Sequence, residues 1–118
     1  MIVSDALINR RQLRRHKLSA EIAIIDKLKL EPIGKLVDIH QDGLLMLGRS
    51  LIIGSSHQLS LVLPNSINRQ TYLDLGVECL WSQTSVNNGA LYWVGFKIID
   101  KSRNASASIQ SLINITSQ

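Results

Sequence analysis

"IGKLVDIHQDGLLMLG", residues 33–48, is the stretch on which the fold turns. Two short apolar runs, "IGKLVDI" and "GLLMLG", flank the tripeptide "HQD". Each reads as a strand. The tripeptide joins them tightly, with Gly43 able to take a positive φ, so the pair forms a hairpin. Upstream, "LSAEIAII" (18–25) alternates, with Leu18, Ala20, Ile22 and Ile24 on one face and Ser19 and Glu21 on the other. That period of two marks a half-buried strand. Downstream, "HQLSLVLP" (57–64) alternates again and is expected to stop at Pro64, with "NSINRQ" (65–70) as a loop. "LDLGVECLW" (73–81) and "LYWVGFKII" (91–99) are two more strand-like runs. Between them "SQTSVNNG" carries the Asn and Gly residues that turns use. About six short strands with turns between them predict a small antiparallel barrel or sandwich. The end differs: "NASASIQSLINITSQ" (104–118) places Ile109, Leu112 and Ile113 at helical spacing, which predicts a short amphipathic helix. It would cover an open end of the barrel or pack on a partner.

Composition bounds the function. The 118 residues suffice for one domain with one core. Cys79 is the only cysteine, so no disulfide framework exists within the chain, which fits a reducing compartment. One cysteine and three scattered histidines supply no zinc site. "MIVSDALINRRQ" lacks the apolar core of a secretory signal, and no stretch approaches a membrane span. The expectation is a soluble, cytoplasmic protein. The net charge of +4 and pI near 9.6 favour an anionic partner without naming it.

The basic residues are concentrated. "RRQLRR" puts Arg10, Arg11, Arg14 and Arg15 within residues 10–15, just before the first apolar run. Guanidinium is planar and always charged; it grips phosphate with two parallel hydrogen bonds and stacks on flat bases. A carboxylate such as Asp38 accepts from the N–H edge of guanine. Arginines plus a strand-end acid therefore suit a guanine nucleotide with phosphates. Taken alone, the cluster also fits a solvated basic arm or a non-specific nucleic-acid contact. Asp38 and His40, two apart on a strand, form a fragment of a catalytic dyad, but no nucleophile accompanies them and no Gly-rich phosphate loop precedes a helix. The chain is not expected to be an enzyme.

Taken together, "RRQLRR" before a strand and "DIHQDG" between two strands resemble the PilZ domain family. That family carries RxxxR on an N-terminal arm and [D/N]xSxxG in the barrel. The first motif fits Arg11 to Arg15, with Arg10 as the leading arginine; Arg10 to Arg14 is the alternative register. The second fits Asp38 and Gly43, with His40 in place of the family's serine. "CLW" and "YWVGFKI" look like the family's last two strands, with Trp81 and Gly95 at recognisable places. The resemblance implies an all-β, six-stranded antiparallel barrel as a single domain over 1–118. It divides into a flexible arginine-rich arm (1–17), a barrel (18–100) and a C-terminal helix or tail (101–118). It also implies a bacterial second-messenger receptor with cyclic di-GMP as ligand, no cofactor, and signalling through a protein partner. Arg10, Arg11 and Arg15 would hold the nucleotide from the arm; Asp38, His40 and Gly43 would form the barrel side.

Two other readings compete. One is a PilZ-like adaptor that has lost nucleotide binding, kept open by His40 and the apolar helix. The other is a basic barrel for single-stranded nucleic acid. Against the latter, aromatics are 4% of residues and none is interleaved with the arginines. Trp81 and Trp93 are expected to pack in the core or at the barrel edge, and Cys79 to be a small buried hydrophobe. The sequence leaves a homodimer open.

Overall fold

The computed structural model describes residues 21–67, 69–85 and 88–116. Six strands and one helix follow one another: β1 (Ala23–Asp26), β2 (Glu31–His40), β3 (Gly43–Gly48), β4 (Ser56–Ile67), β5 (Gln70–Ser85), β6 (Asn88–Asp100) and α1 (Arg103–Thr116). Every pairing is antiparallel, and the order β1-β2-β3-β6-β5-β4 closes on itself because β1 also pairs β4. The architecture is a closed barrel, not a sandwich. Closure gives both edges of every strand a partner.

Alternation fills the interior. Ile22 and Ile24 face inward before Asp26; Leu59, Leu61 and Leu63 do so on β4, and Leu73, Leu75, Val77 and Cys79 on β5. Val94 and Phe96 of β6 and Leu44 and Met46 of β3 complete the core. Helix α1 lies across one end. Ser102 Oγ accepts from Ala105 N at 3.1 Å and caps it. Its buried face is Ala105, Ile109 and Leu112, with Ile113 packed partly against the core. Lys101 Nζ donates to Gln41 O at 2.6 Å, and Gln41 Nε2 donates to Ser106 O at 3.0 Å, which ties the helix to the β2–β3 turn. The expected helix is thus present and covers the barrel end. Among the described residues no helix is long and apolar enough to cross a membrane.

Three local expectations change. Strand β4 does not stop at Pro64 but runs to Ile67, and β5 starts at Gln70, so most of "NSINRQ" is strand. Pro64 is tolerated because the β4–β5 register is interrupted between Val62 and Ile67, where no regular ladder needs its missing N–H. "SQTSVNNG" likewise is largely strand, since β5 extends through Ser85 and β6 starts at Asn88. Gly43 is not in the left-handed region; only Gly54 among the described glycines has a positive φ. Gly43 sits inside the ladder opposite His40 and Lys97, and its role is close approach: a Cβ there would lie 2.7 Å from Phe96 O. Residues 1–20, which include the arginine arm and the start of the "LSAEIAII" run, lie outside the described residues.

Two outcomes check this core. Leu61 is fully buried and pairs with both Ile24 and Leu73, so Leu61→Ala should destabilise the barrel by about 2–5 kcal/mol in urea unfolding. Cys79 is fully buried, and burial pushes its thiol above its ordinary pKa, so Ellman's reagent should label it only as the chain unfolds. Rapid labelling of the native protein would contradict this packing.

Candidate functional site

The candidate site follows from strand register. Across four neighbouring strands the pairing aligns Asp38 (β2), Leu45 (β3), Gly95 (β6) and Trp81 (β5) in one row. The next row, Ile39, Leu44, Phe96 and Cys79, is buried throughout. The row after it is His40, Gly43, Lys97 and Glu78. The first and third rows therefore face outward, two residues apart along β2, β3 and β6 and three apart along β5.

A β-bulge makes this arrangement possible. Leu36 pairs with Met46 and packs against the core, while Asp38 pairs with Leu45, so Val37 is an extra residue. Without it, alternation from the inward-facing Leu36 would carry Asp38 and His40 inward as well. The bulge re-aims both to the surface and turns Ile39 into the core. A second bulge at Leu80, between the Cys79–Phe96 and Trp81–Gly95 pairs, leaves Leu80 and Trp81 48% and 42% exposed. The two bulged strands flank a cleft of about 330 Å³, lined by Asp38, His40, Leu45, Leu80, Trp81 and Gly95 among others.

Each side chain is held locally. The Ile39 backbone N–H donates to Asp38 Oδ1 at 3.0 Å. The Asp42 N–H donates to His40 Nδ1 at 3.2 Å. Nδ1 is therefore the acceptor nitrogen, and the neutral ring carries its proton on Nε2, a donor. The indole of Trp81 lies over the Gly95 backbone: a Cβ at residue 95 would stand 2.3 Å from Nε1 and 2.4 Å from Cε2. A glycine here lets an aromatic ring lie flat on the sheet. The cleft thus offers a carboxylate acceptor, an imidazole donor and an aromatic surface. That set can bind a planar heterocycle through its edge and face.

Of the sequence-derived candidates, Asp38 and His40 line this cleft and Gly43 lies next to it beneath the His40 ring, while Arg10, Arg11, Arg14 and Arg15 lie outside the described residues. Trp81 lies on the outer face of the barrel over Gly95, outside the core, and forms a wall of the cleft. Leu45, Leu80 and Lys97 were missed, because only register places them beside the motif. Among the described residues no group of three or more His, Cys, Asp or Glu could hold a metal. Ser55 and His57 approach to 2.7 Å, but Ser55 Oγ also donates to Ile52 O at 2.5 Å. The hydroxyl proton is thus engaged by a carbonyl, and His57 is not placed to withdraw it.

No protein-family model and no curated protein matches the chain. Solved structures similar to it include two bacterial proteins. The inhibitor of motility from Bacillus subtilis (MotI/DgrA) gives a TM-score of 0.58 at 12% identity, covering 80% of this chain and 44% of that one. The chain therefore spans less than half the length of that protein. The PilZ domain of YcgR from Escherichia coli, solved with c-di-GMP, gives 0.61 at 10% identity, covering 82% and 81%. At such identities the likeness is one of fold: the chain shares the barrel fold of the YcgR PilZ domain.

Proposed function

We propose that the cleft is the barrel half of a cyclic di-GMP site, closed by the arginines of residues 10–15, and that the protein is a bacterial second-messenger receptor and adaptor rather than an enzyme. The observation that carries this reading is the Val37 bulge, which brings Asp38 and His40 outward beside Trp81 in one cleft. The YcgR PilZ domain, similar in fold, was solved with c-di-GMP.

Chain direction supports the role of the arm. Ala23 lies opposite Lys35, and Ile22 O accepts from Leu36 N at 2.8 Å. Going backwards from β1, the chain heads along β2 toward its Asp38–His40 end. Arg15 precedes Glu21 by six residues and Arg11 by ten. Segments of those lengths reach at most about 20 and 33 Å when extended. The arginines therefore have the length to meet a ligand seated in the cleft. In the proposed mechanism Asp38 accepts from guanine N–H groups while Trp81 packs against the base. Arg11 and Arg15, helped by Arg10, hold phosphates and the exposed purine face. Each charge-assisted hydrogen bond contributes on the order of 1.5–3 kcal/mol. A few of them reach the roughly −8 kcal/mol of micromolar binding. Ordering of the arm on the ligand would then present a new surface to a protein partner.

A second reading, an adaptor that binds protein without nucleotide, draws on the exposed Leu80 and Trp81 in the cleft wall and Ile52 and Ile53 on the β3–β4 loop.

Calorimetric titration with cyclic di-GMP, GTP and a short single-stranded DNA separates these readings. Wild type should bind cyclic di-GMP at micromolar or tighter affinity. Arg11→Ala and Asp38→Ala should each weaken that binding about 10- to 100-fold, the loss of one or two charge-assisted bonds. No binding by folded protein would move the assignment to the adaptor. Salt-sensitive DNA binding in place of cyclic di-GMP would make the arginines a nucleic-acid contact.

A further inference from the structure

The outward row beyond the cleft has an arrangement of its own. His40 and Lys97 stand on either side of Gly43, two strand spacings apart, or about 10 Å between backbones. Gly43 contributes no side chain, so the row is shallow between them, a step termed the notch. The imidazole leans over it: a Cβ on Gly43 would lie 3.4 Å from His40 Cε1 and 3.5 Å from Nε2. The same edge of the ring carries the Nε2 proton, because Nδ1 is occupied by the Asp42 N–H. Lys97 is exposed, and it makes no ion pair among the described residues, although Glu78 is its cross-strand neighbour on β5.

The notch is held in shape. Asp42, whose N–H fixes His40, also accepts from the Ile98 N–H through its carbonyl at 2.8 Å, which fastens the β2–β3 turn to β6 next to Lys97. One turn thus holds the imidazole and fastens the β6 backbone next to Lys97. The carboxylates nearby are Asp38 in the neighbouring outward row, Asp42 in the turn and Glu78 beyond Lys97. None lies between His40 and Lys97 in the row, where the strand between them supplies a glycine.

We infer that this notch is a phosphate-binding element borne by the barrel, in which His40 Nε2–H and the Lys97 ammonium take oxygens of one phosphate over the floor of Gly43. The inference rests on the nucleotide reading of the cleft and extends it. The Asp38–Trp81 row takes the base, and the His40–Lys97 row takes a phosphate of the same ligand. The histidine is then a functional replacement for a hydroxyl: a donor on a longer side chain, directed at an anion.

Two probes test this on the full chain. In an Arg10→Ala/Arg11→Ala/Arg14→Ala/Arg15→Ala background, which removes the competing arm arginines, inorganic pyrophosphate is titrated into ¹⁵N-labelled protein and followed by NMR. Amide shifts should centre on His40, Asp42, Gly43 and Lys97, with a shift of the His40 ring Nε2. Adding Lys97→Ala should abolish them, whereas adding Lys29→Ala, which removes an exposed cation of the β1–β2 turn, should not. Shifts elsewhere, or none, would overturn the inference. In wild-type arm background, Lys97→Ala and His40→Phe should each weaken cyclic di-GMP about 5- to 30-fold in calorimetry, and unchanged affinity in both would also overturn it. Notch shifts with pyrophosphate in a protein that binds no cyclic di-GMP would keep the anion element and discard the nucleotide assignment. Cyclic di-GMP binding without notch shifts would do the reverse.

Discussion

Leu36 and Ile39 both have to serve the core from one strand, and a strand with strict alternation cannot place residues three apart on the same side. The extra residue Val37 resolves the conflict. Everything at the candidate site depends on that one irregularity. It turns Ile39 toward Leu44 while sending Asp38 and His40 to the surface. The Leu80 bulge does the matching work on β5, burying Cys79 and exposing Trp81. Between the two bulges, β3 and β6 pair in regular register from Gly43–Lys97 to Gly48–Tyr92 and form the floor.

Glycines set how closely these strands and rings approach. A Cβ at residue 48 would lie 2.1 Å from Ile33 O and 2.5 Å from the Gly34 Cα, which is backbone that cannot give way. At Gly95 the conflict is instead with the Trp81 ring, so there the glycine shapes the surface rather than the ladder. Gly43 does both: Phe96 O presses on it from β6 and the His40 ring covers it. These are demands of space and not of a positive φ.

Much of the fold was legible because alternation is a direct record of which face is wet. The runs around Ile24, Leu61 and Leu75 state their inward sides plainly, and Ile109 with Leu112 states the buried face of α1. Strand ends were less legible. Pro64 reads as a stop, yet an interrupted register lets β4 continue past it. The site was legible in part. Asp38, His40 and Gly43 lie within one hairpin, so local spacing brings them together. Trp81, Gly95 and Lys97 lie about 40–60 residues away in sequence and join them only through the β3–β6 and β6–β5 registers. Register follows from closure of the whole barrel, which no local pattern records.

The barrel face alone is a modest binding surface, and this bears on why an arm would be needed. A cleft of about 330 Å³ stands at the small end of ligand pockets, and Trp81, one of its walls, is 42% exposed. Such a wall covers one face of a base and leaves the other in water. Asp38 can satisfy a base edge, but a carboxylate repels the phosphates of the same ligand. The positive charge that offsets this must come from elsewhere. In the outward rows at the cleft the cation is Lys97, with His40 adding a donor. A second, cationic wall with flat side chains would cover the open face and neutralise the remaining phosphate. Arginine meets both demands with one group. Under the proposed reading that wall would come from the arginines of "RRQLRR", which precede β1 in the sequence.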